Sequence, residues 1–384
     1  MPTVVLAAPP RRPAAALRPE VAFFRSGGRS GPHDHDTAAK ARVAQSIAEL
    51  LGWEFVGELD PALPSRRRTY LVPTDTLPSF ADARRLGVRG PGDLFGGVVP
   101  QPFASTKVIS HPLVRPDSPA PRGWSAACGR QMQGAVLPGY SVFTAGDARI
   151  AAMQMLQRGA IRLKDPAGVG GVGQWVVREL GELEAHLERF GAERLARHGL
   201  VLERNLRHVT TYSVGCVEVG GLRAAYHGTQ DLTHNHQGHE VYGGSRLVVS
   251  RGGLEDLLCE ALDPGVRRAV EQALAFHRAA MTCFKGLFAS RCNYDVAQGT
   301  DDDGNPCCGV LEQSWRIGGA SGAEAAALHA FQADPALARV CASTCERYAD
   351  DAQPPPGAWV LYDGPDSHGG RLVKFVEVNR DVDA

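Results

Sequence analysis

Apolar positions along the chain alternate between a helical and a strand period, and the switches mark out its elements. In TAAKARVAQSIAELLG, Val43, Ile47, Leu50 and Leu51 recur at helical spacing. The short apolar runs TYLVP and LFGGVV follow. Residues 21–120 therefore read as a small α/β domain, ending at the Pro-rich break RPDSPAPRG. The next helix is FTAGDARIAAMQMLQRG. Thr144 and Asp147 form a capping-box pattern, Ile150, Met153 and Leu156 supply an apolar face, and Gly159 stops it. GELEAHLERFGAERLARHG is a further helical region. From Leu200 to Ser250 the pattern is of antiparallel strands with Gly-rich turns. A long helix from Asp263 carries Val270, Leu274, His277 and Met281 on one face and leads into a strand at Asp295. After Ala333 the pattern predicts a helix, a PPPG break and a final strand, LVKFVEVNR, of edge type. There are no internal repeats.

The segment DVAQGTDDDGNPCCGVLEQSWRIGGAS reads as two strands joined by a polar turn, with one carboxylate on each. Asp295 lies in the apolar-flanked run RCNYDVA, and Glu312 follows 17 residues later in GVLEQSW. Paired strands lie about 4.8 Å apart, so the two carboxylates can face one point. Hard cations take carboxylate oxygens, and this is a magnesium site in outline. Ser314 shares the face of Glu312, Gln313 points away, and Arg316 comes four residues after Glu312. The glycines of GGAS allow backbone to approach a ligand. The plain alternative is an ordinary hairpin with a surface acidic turn.

A second segment, IRLKDPAGVGGVGQWVV, ends a short strand at Lys164 and opens a loop containing Gly168, Gly170, Gly171 and Gly173. Backbone N–H groups of such a loop can cover phosphate oxygens, and the lysine adds a point charge. Gly168, Gly170 and Gly173 match G-x-G-x-x-G, but the strand QWVV follows where a dinucleotide site needs a helix. No Gly-Lys-Ser/Thr follows, so the loop is not of Walker type. It reads as a hairpin lid; a simple glycine-rich hairpin is the plain alternative.

Together these segments resemble the ATP-grasp superfamily of carboxylate–amine and carboxylate–thiol ligases, over about Leu137 to Ser321. The stretch PGYSVFTAGDARIAAMQMLQRGAIRLKD looks like the strand, helix and strand that lead to the phosphate lysine. VLERNLRHVTTYSVGCVEV looks like the hinge and an antiparallel strand, and DVAQG with GVLEQSWRIGG like the metal-carrying strands. The order Lys164, Glu203, Asp295, Glu312 fits. The resemblance implies an α+β ATP-grasp fold, with a first lobe over 121–200 and a second lobe with a C-terminal extension over 201–384. It implies ATP and Mg2+ as cofactors and an acyl phosphate formed from a small-molecule or peptide carboxylate for attack by an amine or thiol. Glu203 would contact the adenosine, and Asp295, Glu312 and Ser314 would hold metal; Ser314 stands where the family has Asn. Arg316 and Lys164 would act on the transferring phosphoryl group. Lys107 is a candidate second phosphate lysine, with Arg130 as its rival and a surface lysine as the plain reading. A non-catalytic ATP-binding protein and a phosphotransferase are the alternatives. The whole chain, including DLFGGVVPQPFASTKVISHPL, also resembles a proteobacterial family defined by a domain of unknown function.

Other features change this picture little. Asp231, His234, His236 and His239 crowd one polar loop, at a spacing that can bind zinc or copper but with no helix to fix the geometry. Glu377 and Asn379 form a rival Glu-x-Asn metal pattern with Asp363 upstream, although Glu377 lies 213 residues beyond Lys164. The 384 residues allow two or three domains, 43% hydrophobic content is ordinary for a globular chain, and a net charge of −1 argues against general nucleic-acid binding. No run of apolar residues reaches membrane-spanning length. The first 20 residues read as a disordered Ala/Pro/Arg tail whose arginines follow the apolar start, the wrong order for a signal peptide. Nine scattered cysteines lack zinc spacing, with Cys307 and Cys308 in a turn and Cys341 and Cys345 at helical spacing. They read as reduced thiols of a cytoplasmic protein, with a homodimer open.

Overall fold

Strand β1 (Glu20–Phe24) is central in a three-stranded parallel sheet, because its residues are buried on both faces. The computed structural model describes residues 18–26, 35–62, 67–168, 173–367 and 369–379. Helix α1 (His35–Leu51) follows, then β2 (Glu54–Glu58) and β3 (Thr69–Pro73), which flank β1. The apolar side expected of α1 is buried at Val43, Ile47 and Leu50. It packs both on this sheet and on elements much later in the chain. Next come α2 (Phe80–Arg85), the two-residue strand β4 (Gly97–Val98) and α3 (Ala126–Met132).

A second unit comprises β5 (Gly139–Val142), α4 (Ala145–Leu156), β6 (Ile161–Lys164), β7 (Gln174–Val177), α5 (Leu180–Phe190), α6 (Ala192–His198) and β8 (Leu200–Arg204). Its sheet is antiparallel, in the order β5-β8-β6-β7. The Thr144 hydroxyl caps α4 by accepting from the Asp147 N–H at 3.1 Å. Thr144→Ala should therefore lower stability by about 1 kcal/mol, read as a lower urea midpoint with an unchanged slope. The buried face of α4 is Ala148, Ala151, Ala152 and Met155, not the expected Ile150, Met153 and Leu156; Met153 is exposed. Small alanines let the helix approach the sheet closely, so side-chain size overrode hydrophobicity in choosing the face.

The remainder builds one eight-stranded antiparallel sheet. It contains β9 (Arg207–Val219), β10 (Leu222–His234), β11 (Glu240–Arg251), α7 (Leu254–Leu257), α8 (Pro264–Cys283), β12 (Phe288–Ala289), β13 (Arg291–Thr300), β14 (Pro306–Ser314), α9 (Ser321–Ala333), β15 (Arg339–Tyr348), β16 (Trp359–Pro365) and β17 (Arg371–Asn379). The sheet order is β14-β13-β9-β10-β11-β15-β17-β16, while β12 pairs with β4. One core lies under α8, and a second lies between the opposite side of the sheet, α9 and α1.

Three expectations are corrected here. The helix near the C-terminus precedes Ala333 as α9, and the segment with Cys341 and Cys345 is strand β15, stabilised by ladders to β11 and β17. The last strand is interior, between β15 and β16, and its run of buried residues Leu372 to Val376 suits that place better than an edge. Cys307 and Cys308 lie on β14, not in the turn. The described residues contain no helix long and apolar enough to cross a membrane.

Candidate functional site

The carboxylates meet as their spacing requires. Asp295 of β13 stands directly opposite Glu312 of β14, with Asn293 opposite Ser314 beside them. Asp295 also faces Ser213 of β9 in register. Its Oδ1 accepts from Gln230 Nε2 at 2.7 Å and from Asn293 Nδ2 at 2.8 Å. Burial, and then repulsion from Glu312, push the Asp295 pKa up to about 7. A pair of opposed carboxylates with one so destabilised fits a divalent cation, whose charge would relieve both effects. Gln313 points to the other face, as alternation demands, and donates to the Thr106 carbonyl at 2.8 Å.

That bond seats the 3-10 turn Lys107–Ser110 on the sheet edge. Lys107 is buried there, and its Nζ lies 2.5 Å from Glu312 Oε2. The same ammonium donates to the Gly168 carbonyl of the glycine loop. Lys107 thus joins the loop to the acidic pair, whereas Arg130 is exposed at the end of α3. Lys164 ends β6, as expected, and is almost fully buried in an ion pair with Glu203 of β8. His111 Nε2 lies 3.3 Å from the other Glu203 oxygen. Burial acts upward on the Glu203 pKa, but Lys164 and His111 more than offset it and leave the carboxyl below its ordinary value. The lysine and glutamate expected to serve phosphate and adenosine separately are therefore partners of each other. The loop is a hairpin, with Lys164 opposite Gln174, and Asp165 braces its base by accepting from Ala167 N–H at 3.0 Å. Gly173 has a left-handed φ of +78°, which requires glycine. Gly170 and Gly171 lie outside the described residues.

Ser314 and Arg316 are held by a residue that sequence reasoning missed. Arg291 Nη1 donates to Ser314 Oγ at 3.3 Å and to the Arg316 carbonyl at 2.6 Å. Its Nη2 lies 2.7 Å from Glu324 Oε1, and both side chains are buried. A seryl oxygen that accepts from a guanidinium is a poor third ligand for a cation, so the structure weakens that expectation. Arg316 Nε lies 3.6 Å from Asp75 Oδ1. The only advance signal for Arg291 was its place four residues before Asp295 on the same strand face.

The remaining candidates separate. The acidic turn is not simply solvated: Asp301 is buried 3.2 Å from Arg204 Nη1, and Asp302 Oδ2 accepts from Ala160 N–H at 2.6 Å. Of the histidine loop, His236 Nε2 contacts the Arg371 carbonyl at 2.9 Å and Asp231 pairs with Arg246 at 2.9 Å. No metal-holding group of three His, Cys, Asp or Glu occurs among the described residues. Glu377 and Asn379 lie on β17, five strand positions from β13, about 24 Å at ~4.8 Å per strand. Asp363 is taken by Arg371 at 2.8 Å and 2.9 Å.

A narrow cleft between α1 and the sheet is lined by Asp36, Lys40, Gly318, Thr344, Glu346 and Lys374. Lys40 pairs with Asp36 at 2.6 Å and Lys374 with Glu346 at 2.8 Å. Burial acts upward on Asp36, but Lys40, Lys374 and Arg316 outweigh it, so the cleft adjoins Arg316 electrostatically. A Cβ on Gly319 would lie 2.7 Å from the Tyr242 ring, so the missing side chain lets the ring pack here.

A family model described as "Protein of unknown function (DUF3182)" matches residues 24–376. No curated protein matches the chain. Among solved structures, N5-carboxyaminoimidazole synthetase from Staphylococcus aureus complexed with ADP is 12% identical, covers 96% of this chain and 94% of its own, and has a TM-score of 0.50. Phosphoribosylamine–glycine ligase from Thermotoga maritima is 12% identical, covers 94% of this chain and 93% of its own, also with a TM-score of 0.50. The fold is an α+β ATP-grasp fold.

Proposed function

We propose, for a chain that belongs to the family described as protein of unknown function (DUF3182), an ATP-dependent ligase activity that activates a carboxylate as an acyl phosphate. The observation that carries the reading is the Lys107 contact that ties the glycine loop to Glu312, directly across from Asp295. In an ATP-grasp fold this is where a nucleotide's phosphates meet charge of both signs. The solved neighbours support it as well: one is an ADP complex of a synthetase and the other is named as a ligase.

Asp295 and Glu312 would hold Mg2+, which when bound neutralises phosphate charge and orients the triphosphate. Lys107 and Lys164 supply positive charge beside the phosphates, and Gly168 and Gly173 bring backbone close to them. Glu203 fixes Lys164 and closes the adenosine side. A substrate carboxylate oxygen attacks the γ-phosphorus, the bond to the β–γ bridging oxygen breaks, and ADP leaves. Arg316 steadies the transferring phosphoryl group with its fork of donors. An amine or thiol then attacks the acyl carbon and inorganic phosphate departs. A non-catalytic ATP binder is the second reading, favoured by the Ser314 hydroxyl being occupied by Arg291.

Calorimetry tests the binding step. Lys107→Met should weaken ATP about ten- to a hundredfold, the value of a lost charge-assisted contact. Unchanged affinity removes Lys107 from the site. ADP release with a panel of carboxylates separates enzyme from binder, and detection of an amide or thioester separates ligase from phosphotransferase.

A further inference from the structure

Beneath the acidic pair, on the opposite face of the sheet, lie two thiols that the proposed activity does not use. Cys216 of β9 and Cys292 of β13 are directly paired in register. Their sulfur atoms are 3.2 Å apart, inside ordinary van der Waals separation. Residues directly opposed on antiparallel strands have Cα atoms about 4.5–5.5 Å apart, within the range of about 4.4–6.8 Å that a disulfide spans. Cys292 is 1% exposed and Cys216 is partly buried, so Cys216 is the less enclosed of the two. His277 of α8 packs beside them, its Nδ1 2.7 Å from the Tyr294 hydroxyl.

We propose that Cys216 and Cys292 are a reversible dithiol–disulfide site, oxidised by hydrogen peroxide or a small organic hydroperoxide. Hydrogen bonds from Cys216 and then His277 hold the Cys292 thiol well below its ordinary pKa, against burial, while the contact with Cys292 and burial hold the Cys216 thiol well above its own. As the Cys216 sulfur attacks, its proton passes across the 3.2 Å contact to Cys292 and becomes the shared proton of the pair. The Cys216 sulfur takes the distal peroxide oxygen, the O–O bond breaks, and hydroxide or alkoxide departs to be protonated by solvent. Cys216 is then a sulfenic acid. The Cys292 sulfur attacks it, an S–S bond forms, the S–O bond breaks and water leaves with the shared proton. The two sulfurs lose two electrons and the peroxide gains them. The neighbouring residue, Asn293, donates to Asp295, so the change occurs one residue from the acidic pair's support. The inference stands whether or not the chain binds ATP.

The full-length protein, reduced and then exposed to hydrogen peroxide, tests this. Denatured thiol titration should fall from nine to seven, since the chain has nine cysteines. Intact mass should drop by about 2 Da, peptide mapping should join the segments holding Cys216 and Cys292, and dithiothreitol should restore nine thiols. Cys216→Ser and Cys292→Ser should each abolish the 2 Da loss. A cross-link mapping to other cysteines, a stable gain of oxygen without a cross-link, or two thiols still lost in both serine variants overturns the proposal. The wild-type peptide map decides the matter even if a serine variant folds poorly.

Discussion

Glu312→Gln and Asp295→Asn should each cut ATP turnover by about a thousandfold or more, the scale of losing a principal electrostatic element of a phosphoryl-transfer site. The folds should survive. In Asp295→Asn the amide oxygen still accepts from Gln230 and Asn293, as the carboxylate Oδ1 does now. Stability should change in the opposite sense to activity. The folded pKa of Asp295 is raised from 3.8 to about 7, so the native state holds a proton that the unfolded chain releases. Between about pH 4 and pH 7 the native state binds more protons than the unfolded one, and stability falls as pH rises; above about 7 this contribution is flat. An amide, which does not titrate, removes that fall. Relative to wild type, Asp295→Asn should therefore gain roughly 3–4 kcal/mol at pH 8 compared with its standing at pH 4, in the nucleotide- and metal-free protein. Thermal denaturation at the two pH values with a turnover assay checks both halves. Full Mg-dependent turnover in both variants would make the hairpin purely structural.

Breaking the Arg291–Glu324 pair should produce the largest loss of stability. Both side chains are buried, at 2% and 0% exposure, and Tyr226 also donates to Glu324 Oε1 at 2.6 Å. Arg291→Met leaves a buried carboxylate without its cation, a cost of about 3–5 kcal/mol, or a melting temperature lower by roughly 4–6 °C. Combining it with Glu324→Leu removes both charges and should recover much of that stability. Activity should not recover, because Arg291 also anchors Ser314 and the carbonyl of Arg316. Differential scanning calorimetry of the two single variants and the double, beside the turnover assay, separates these roles. A double variant no more stable than Arg291→Met alone would show that the guanidinium's other contacts, not the buried charge, dominate.

What the sequence determined was local. Alternation and turn chemistry made the Asp295–Glu312 hairpin legible, because a ladder register follows from where a polar turn reverses the chain. The same held for Lys164 at the end of β6, for Thr144 capping α4 and for the long helix α8. Segments whose stability comes from distant partners were misread. VCASTCERY carries cysteines at helical spacing, yet it is a strand because β11 and β17 offer it ladders on both sides. The ionic wiring of the site was decided only in three dimensions. Lys107 sits in an irregular turn with no periodic signal, and it reaches Glu312 because Gln313 docks that turn on the sheet edge. Lys164 and Glu203 occupy neighbouring strands of one sheet, so burial forces each to neutralise the other. Arg291 meets Glu324 because α9 packs on the same sheet, chiefly against β15 and β17, with Glu324 in its first turn. A buried charge must find its counter-ion wherever the fold brings one, and sequence spacing carries no record of that choice.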